Sequence, residues 1–272
     1  VDLYTIYMRK FVFLFLSVIF KCDLRKFSLD WSDDAIVLSA RKHGETSLIA
    51  NLLTRNHGRH SGLVRGGGSR RNRGVFEPGN LVRVSWRARL SDHLGTYKCE
   101  LTRAVAADLL ENRLKLSGLS SICAVSDVAL PEREAHRSLY DSFLILIDTF
   151  SDDSIWPTVY VKWELGLLQE LGFGLDLSCC AVTGKTENLA FVSPKSGKAV
   201  SIQAASPYKH VLLELPYFLT QSGQTGTFED IHQALKLTGY FLNRHAFGTY
   251  PGHDPDARTR FMERLRKTAA LI

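Results

Sequence analysis

The stretch Arg65-Gly66-Gly67-Gly68-Ser69-Arg70-Arg71-Asn72-Arg73-Gly74 sets four arginines among four glycines. A guanidinium group carries a permanent charge and five N–H donors in a rigid fork, which suits it to phosphate oxygens. Glycine lets backbone approach such a group closely and follow its path. Two chemistries fit: a cradle for the phosphates of one nucleotide, or a pliant basic loop that follows a nucleic-acid backbone. From Thr46 to Phe76 there is no Asp or Glu, yet Arg55, Arg59, Arg65, Arg70, Arg71 and Arg73 all fall in this window, with His43, His57 and His60 in or near it. Those six arginines equal the whole formal charge of +6. The plain alternative is a solvated basic loop.

A second basic set follows. In Asn80–Leu90 the period-two pattern places Val82, Val84, Trp86, Ala88 and Leu90 on one face and Arg83, Ser85, Arg87 and Arg89 on the other. One face reads as core and the other as cationic. The phase of Trp86 with Val82 and Val84 assigns it to packing, not to base stacking. The next strand puts Tyr97, Cys99 and Leu101 on one side and Thr96, Lys98 and Glu100 on the other, so Lys98 extends the basic face. The candidate nucleic-acid contacts are therefore Arg59, Arg65, Arg70, Arg71, Arg73, Arg83, Arg87, Arg89 and Lys98.

Signals for other chemistry are incomplete. Gly184-Lys185-Thr186 has the ending of a phosphate-binding P-loop, but Cys179 occupies the place of its first glycine and Leu175–Ser178 makes a poor strand. The basic loop also fails as a dinucleotide fingerprint, because Arg71 stands where the third glycine is needed and Glu77-Pro78-Gly79 turns the chain instead of opening a helix. No HExxH, GxSxG or paired-carboxylate motif is present, and no histidine spacing suggests a metal. The sequence predicts no catalytic residue, no cofactor and no metal.

The elements that would position these residues change character along the chain. Five short strand patterns between Trp31 and Arg103 predict a small barrel. Beyond it the period is helical: Leu139, Phe143, Ile147 and Phe150 form one stripe, a second helix starts beyond Pro157 and stops near Gly172, and a third starts after Thr227 with Glu229 and Asp230 in its first turn and Ile231, Leu235 and Leu242 on its stripe. Residues 175–207 read as irregular. The switch from strands to helices falls between Arg103 and Leu116. At 45% hydrophobic and 23% charged residues, the composition is that of a globular protein and excludes a disordered chain. The cysteines, five in number and without framework spacing, point to free thiols in a reducing compartment. The run Phe11–Phe20 behind Arg9 and Lys10 is like a signal peptide but too short to cross a bilayer, and Lys21, Arg25 and Lys26 follow it in place of a cleavage site. Residues 1–29 are accordingly expected to be an extension outside the functional fold.

From Asp30 to the C-terminus, and above all over Asp30–Arg89, the sequence resembles the bacterial RecO recombination-mediator family. The likeness rests on the opening strand, the Gly44-Glu45-Thr46 turn, the Val64-Arg65-Gly66 step after Gly58 and the Pro78-Gly79 turn before a basic strand, with Val192–Gly197 agreeing further on. It implies an α+β protein with an oligonucleotide-binding (OB-fold) barrel at 30–108 and a mainly helical domain at 109–272, the latter with a degenerate zinc-finger-like insert. It also implies single- and double-stranded DNA binding, strand annealing, and a place among the nucleoid-associated proteins of the cytoplasm. The implied partners are RecR, the single-stranded-DNA-binding protein and, indirectly, RecA, with no role for a membrane. Relatives with a zinc site carry two CxxC pairs. Here the matching positions hold Cys180 with Thr183 and Ser201 with Ala204, which cannot supply four thiolates, so the insert must be held by packing and hydrogen bonds. An RNA-binding barrel and a nucleotide-dependent enzyme using Gly184–Thr186 are the alternatives.

Overall fold

The structure, a computed structural model, describes residues 29–221, 223–248 and 254–270. The predicted extension at residues 1–29 thus lies outside the described residues except for Leu29, which begins the first strand.

Five strands close into a barrel: β1 (Leu29–His43), β2 (Ser47–Thr54), β3 (Gly58–Val64), β4 (Leu81–Ala88) and β5 (Thr96–Arg103), in the order β1-β2-β3-β5-β4. β1 is long enough to serve two neighbours, its first half pairing with β4 and its second with β2. β3 and β5 meet in parallel at a single pair, Leu63 and Thr96, as in an OB-fold closure. The alternation expected of β4 is observed, with Val82, Val84, Trp86 and Ala88 buried and Arg83, Ser85 and Arg87 exposed. Trp86 also donates from Nε1 to the Leu94 carbonyl at 3.0 Å, so its polar end is satisfied inside the core. The alternation does not reach Leu90. The ladder ends at Ala88 and the chain bends away, leaving Leu90 exposed. Leu101 is exposed too, because that half of β5 has only β4 beside it.

The helical part begins with a single turn, α1 (Val105–Asp108), and continues with α2 (Arg113–Ala129), α3 (Arg137–Thr149) and α4 (Trp156–Glu170). Pro157 lies inside the first turn of α4, so that helix starts just before the proline instead of beyond it; its missing N–H costs nothing there. The residues read as irregular, 175–207, contain two strands, β6 (Leu189–Val192) and β7 (Ala199–Ser201), and a short α5 (Ile202–Ala205), and β8 (Leu213–Glu214), just beyond them, completes a three-stranded sheet. This corrects the sequence reading, which had no period to follow in strands so short. α6 (Phe228–His245) starts at a capping box in which Thr227 and Asp230 satisfy each other's backbone N–H groups, and α7 (Asp256–Ala269) closes the described chain.

Barrel and helices share an interface. Ile36, Leu38 and Leu53 of the barrel are buried in the same core as Leu119, Phe143 and Trp156 of the helices. Asp127 of α2 accepts hydrogen bonds from Ser39 Oγ at 2.7 Å and Asn51 Nδ2 at 3.0 Å. Gly58, at φ +68°, has the Glu134 backbone where a Cβ would stand.

Candidate nucleic-acid interface

The basic loop is built on the end of β3 and leans against the β1–β2 turn. Gly68 N donates to Thr46 O at 2.9 Å, Ser69 N to Gly66 O at 3.2 Å, Asn72 N to Ser69 O at 3.0 Å, and Asn72 Nδ2 to Gly66 O at 3.2 Å. Gly66 has φ +69°, and a Cβ on Gly67 would fall 2.8 Å from Leu48. Two of the glycines are therefore required by turn geometry and by close packing. The expectation of a pliant loop gives way to one tied down by its own backbone.

Arg65, Arg70 and Arg71 are exposed on this loop. Arg73 opens a 3-10 turn, Arg73–Phe76, and its side chain lies outside the described ones. The contact with the β1–β2 turn adds two cations that the sequence reading passed over, Arg41 and Lys42, both exposed at the end of β1. Register brings Lys42 into one row with Leu48 and Val64, next to Arg65. Among the described residues none of these five cations makes an ion pair, and Glu45 is the single acid in the β1–β2 turn and the stretch Arg65–Gly74. This end of the barrel therefore carries a net positive field of the kind that attracts polyanions.

The strand face is different. Across β1 and β4, Arg83 is paired with Asp34 and Arg87 with Asp30, at 2.8 Å and 3.6 Å, while the Ser32 and Ser85 hydroxyls meet at 2.7 Å. Across β4 and β5, Arg83 stands opposite Glu100 and Ser85 opposite Lys98. The face expected to be cationic is a lattice of alternating charge. It holds a groove of about 660 Å³ lined by Trp31, Arg87 and Lys98 but also by Asp30. Arg89 is exposed past the strand's end.

Arg59 is placed elsewhere again. It is half-buried between barrel and helices, with Nε donating to Leu130 O at 2.7 Å and Nη1 standing 3.6 Å from both Asp127 and Glu132. Its donors hold the two domains together, and the acids that neutralise it come from the helical part, beyond the window read from sequence.

Inside the same barrel, Trp31 stacks on His57 at 4.1 Å and on Trp86 at 5.6 Å, with His60 edge-on to both indoles. Burial, reinforced by the charge of Arg133, pushes the His60 pKa down to about 4, so the ring is neutral at physiological pH. Buried Asp33 accepts from Asn56 N at 2.7 Å and Asn56 Nδ2 at 2.8 Å, and lies 3.0 Å from His57 Nδ1; its burial would raise its pKa, but these hydrogen bonds outweigh that and lower it.

In the insert, Ser201 N donates to Cys180 Sγ at 3.3 Å. Burial opposes ionisation of this thiol, yet hydrogen bonds from Ser201 and Thr183 prevail and lower its pKa to about 6. Two of the positions matched to a zinc site, Thr183 and Ser201, thus hydrogen-bond the sulfur of the third, Cys180. Among the described residues no group of three or more His, Cys, Asp or Glu side chains has the arrangement to hold a metal ion. Gly184 closes a turn, its N–H bonding Cys180 O at 2.8 Å, Lys185 and Thr186 follow that turn, and strand β6 comes next where a P-loop needs a helix.

A closed five-stranded barrel with a basic end, docked on a helical domain, defines an OB-fold protein of the α+β class. The family models agree with that architecture: "Recombination protein O N terminal" matches residues 28–105 and "Recombination protein O C terminal" matches residues 110–253. The chain belongs to the RecO family. It is 55% identical over 241 residues to the DNA repair protein RecO of Rhodospirillum centenum, covering 88% of this chain and 96% of that one. It is 45% identical over 248 residues to the protein of the same name from Rhodospirillum rubrum, covering 89% and 98%, and 45% identical over 240 residues to that from Mesorhizobium japonicum, covering 88% and 94%. No helix among the described residues is long and apolar enough to cross a membrane.

Proposed function

We propose that this protein is a DNA repair protein that mediates recombination by binding DNA and annealing complementary strands, without enzymatic chemistry of its own. The observation that carries the reading is the basic end of the barrel, where Arg41, Lys42, Arg65, Arg70 and Arg71 face a single acid, Glu45. Cations on short, hydrogen-bonded loops contact phosphates in a fixed geometry and read no bases, which suits a protein that must accept any sequence. Arg83, Arg87, Arg89 and Lys98 would extend the path over the strand face, where a polyanion must displace Asp30 and Asp34 from their partners. Arg73 belongs to the same loop and to the same proposal. RecR, the single-stranded-DNA-binding protein and, through them, RecA are the partners that family membership suggests, in the cytoplasm.

The test is annealing of two complementary labelled oligonucleotides by the purified protein, with and without ATP. The reading expects annealing faster than the spontaneous rate, for any sequence and without nucleotide. Strict dependence on ATP, lost on Lys185→Ala, would replace it with the nucleotide-dependent alternative. Binding confined to RNA would replace it with the RNA-binding one.

A further inference from the structure

The barrel accounts for one nucleic-acid surface. A second basic groove lies on the helical domain, between the start of α2 and the outer side of α7. Arg113, Arg260 and Arg264 line it over a floor that includes Ser117, Ser120 and Ala257, around a volume of 270 Å³. All three arginines are exposed, and among the described residues none is in an ion pair. The acids nearest in sequence, Glu111, Asp256 and Glu263, are exposed and, among the described residues, unpaired with them, Asp256 lying one turn before Arg260 on the same side of α7.

α7 divides its arginines by helical period. Arg258 points inward to a buried ion pair with Glu164, whereas Arg260 and Arg264, four residues apart, share one side and are about 6 Å apart along the axis. The floor of small side chains leaves room for a backbone to lie between the arginines and offers no deep apolar hole for a peptide anchor; Leu116 is the one large apolar residue there. Arginine forks over a small-residue floor match a chain of phosphodiesters. Arg113 sits at the end of α2 remote from Asp127, the residue that docks on the barrel. At 1.5 Å per residue this sets Arg113 about 21 Å along α2 from that contact, while Ser120 at the other end of the groove is about 10 Å from it.

We infer that the α2–α7 groove binds the backbone of a second nucleic-acid strand, separate from the strand gripped by the barrel. A protein that holds one strand on each surface keeps two strands at high effective concentration without reading either, which turns their pairing into an encounter within one complex. The inference rests on the groove itself and stands apart from the assignment of the barrel loop.

The experiment is a stoichiometric fluorescence titration of the full chain with a short labelled oligothymidylate, at low salt and across a salt series. The wild type should bind two oligonucleotides per chain. The variant Arg113→Gln/Arg260→Gln/Arg264→Gln should bind one, and its total salt dependence should be shallower by about 2, at roughly 0.7 per lost contact. Because the three side chains are exposed, its melting temperature should match the wild type. The charge-conserving Arg→Lys triple should keep both strands. If the Gln variant, folded, still binds two strands, the inference is overturned. It is equally overturned if that variant keeps both strands and loses only binding of poly-glutamate, which would assign the groove to an acidic protein. Loss of one strand in the Gln variant with no change in a barrel-loop variant would uphold the groove and refute the loop.

Discussion

Replacing Arg258 with Ala should be among the costliest single changes in the molecule. Arg258 is 1% exposed and its partner Glu164 is fully buried. The guanidinium donates from Nε to Glu164 Oε1 at 2.8 Å and from Nη2 to Glu164 Oε2 at 2.9 Å, then from Nη1 to Asp254 at 2.7 Å and from Nη2 to the Leu235 carbonyl at 2.7 Å. Gly239 of α6 makes room for it, since a Cβ there would stand 2.7 Å from Nη1. Among the described residues, the truncation leaves Glu164 with the Thr238 hydroxyl as its one side-chain donor. An unpaired buried charge of this kind costs about 3–5 kcal/mol, a large share of the ~5–15 kcal/mol that typically holds a protein folded. Removing both charges together, as Arg258→Met with Glu164→Leu, leaves no fully buried ion, only the partly exposed Asp254, which keeps its hydrogen bond from Asn243 at 2.7 Å, and should recover most of that loss. Urea denaturation followed by circular dichroism measures both. An Arg258→Ala variant within about 1 kcal/mol of wild type would refute the reasoning, because that is the size of an ordinary hydrogen bond and not of a buried ion pair.

Three further outcomes follow from the same structure. Trp86→Ala empties the centre of the barrel and should cost about 3–5 kcal/mol in denaturant titration, whereas Arg87→Ala on the opposite face should cost well under about 1 kcal/mol. His60 has a folded pKa of about 4 against an ordinary 6.5, so the unfolded chain binds the extra proton first; its contribution should be full above 6.5 and lost as pH falls towards 4, and His60→Gln should flatten that part of the stability profile. With Cys180 as the one thiol among the four matched positions, protein purified without added metal should contain no stoichiometric zinc by elemental analysis, and a chelator should leave its melting temperature unchanged.

The barrel was legible because half-buried strands write a period of two, and Val82, Val84 and Trp86 obey it with little competition. The charge state of its faces was not, since it depends on pairing between strands far apart in sequence. A signal for it was present: Asp30-x-Ser32-x-Asp34 mirrors Arg83-x-Ser85-x-Arg87, and an antiparallel register of β1 on β4 turns that mirror into two ion pairs about a serine pair. Arg59 could not be assigned from its neighbours, because Asp127, Leu130 and Glu132 reach it only through docking of the helices. Arg41 and Lys42 were missed for the complementary reason: they join the basic loop through one backbone hydrogen bond, from Gly68 to Thr46, that no local pattern announces.

The basic end of the barrel is the core of the functional account, and its salt dependence tests it most directly. Titrating a labelled single-stranded oligonucleotide into wild-type protein and into Arg65→Gln/Arg70→Gln/Arg71→Gln across a salt series gives log K against log salt for each. Loss of three phosphate contacts should flatten the slope by about 2, at roughly 0.7 per contact, and weaken binding to all sequences alike. A triple variant with the wild-type slope and the wild-type affinity would contradict the account and leave these arginines as a solvated loop.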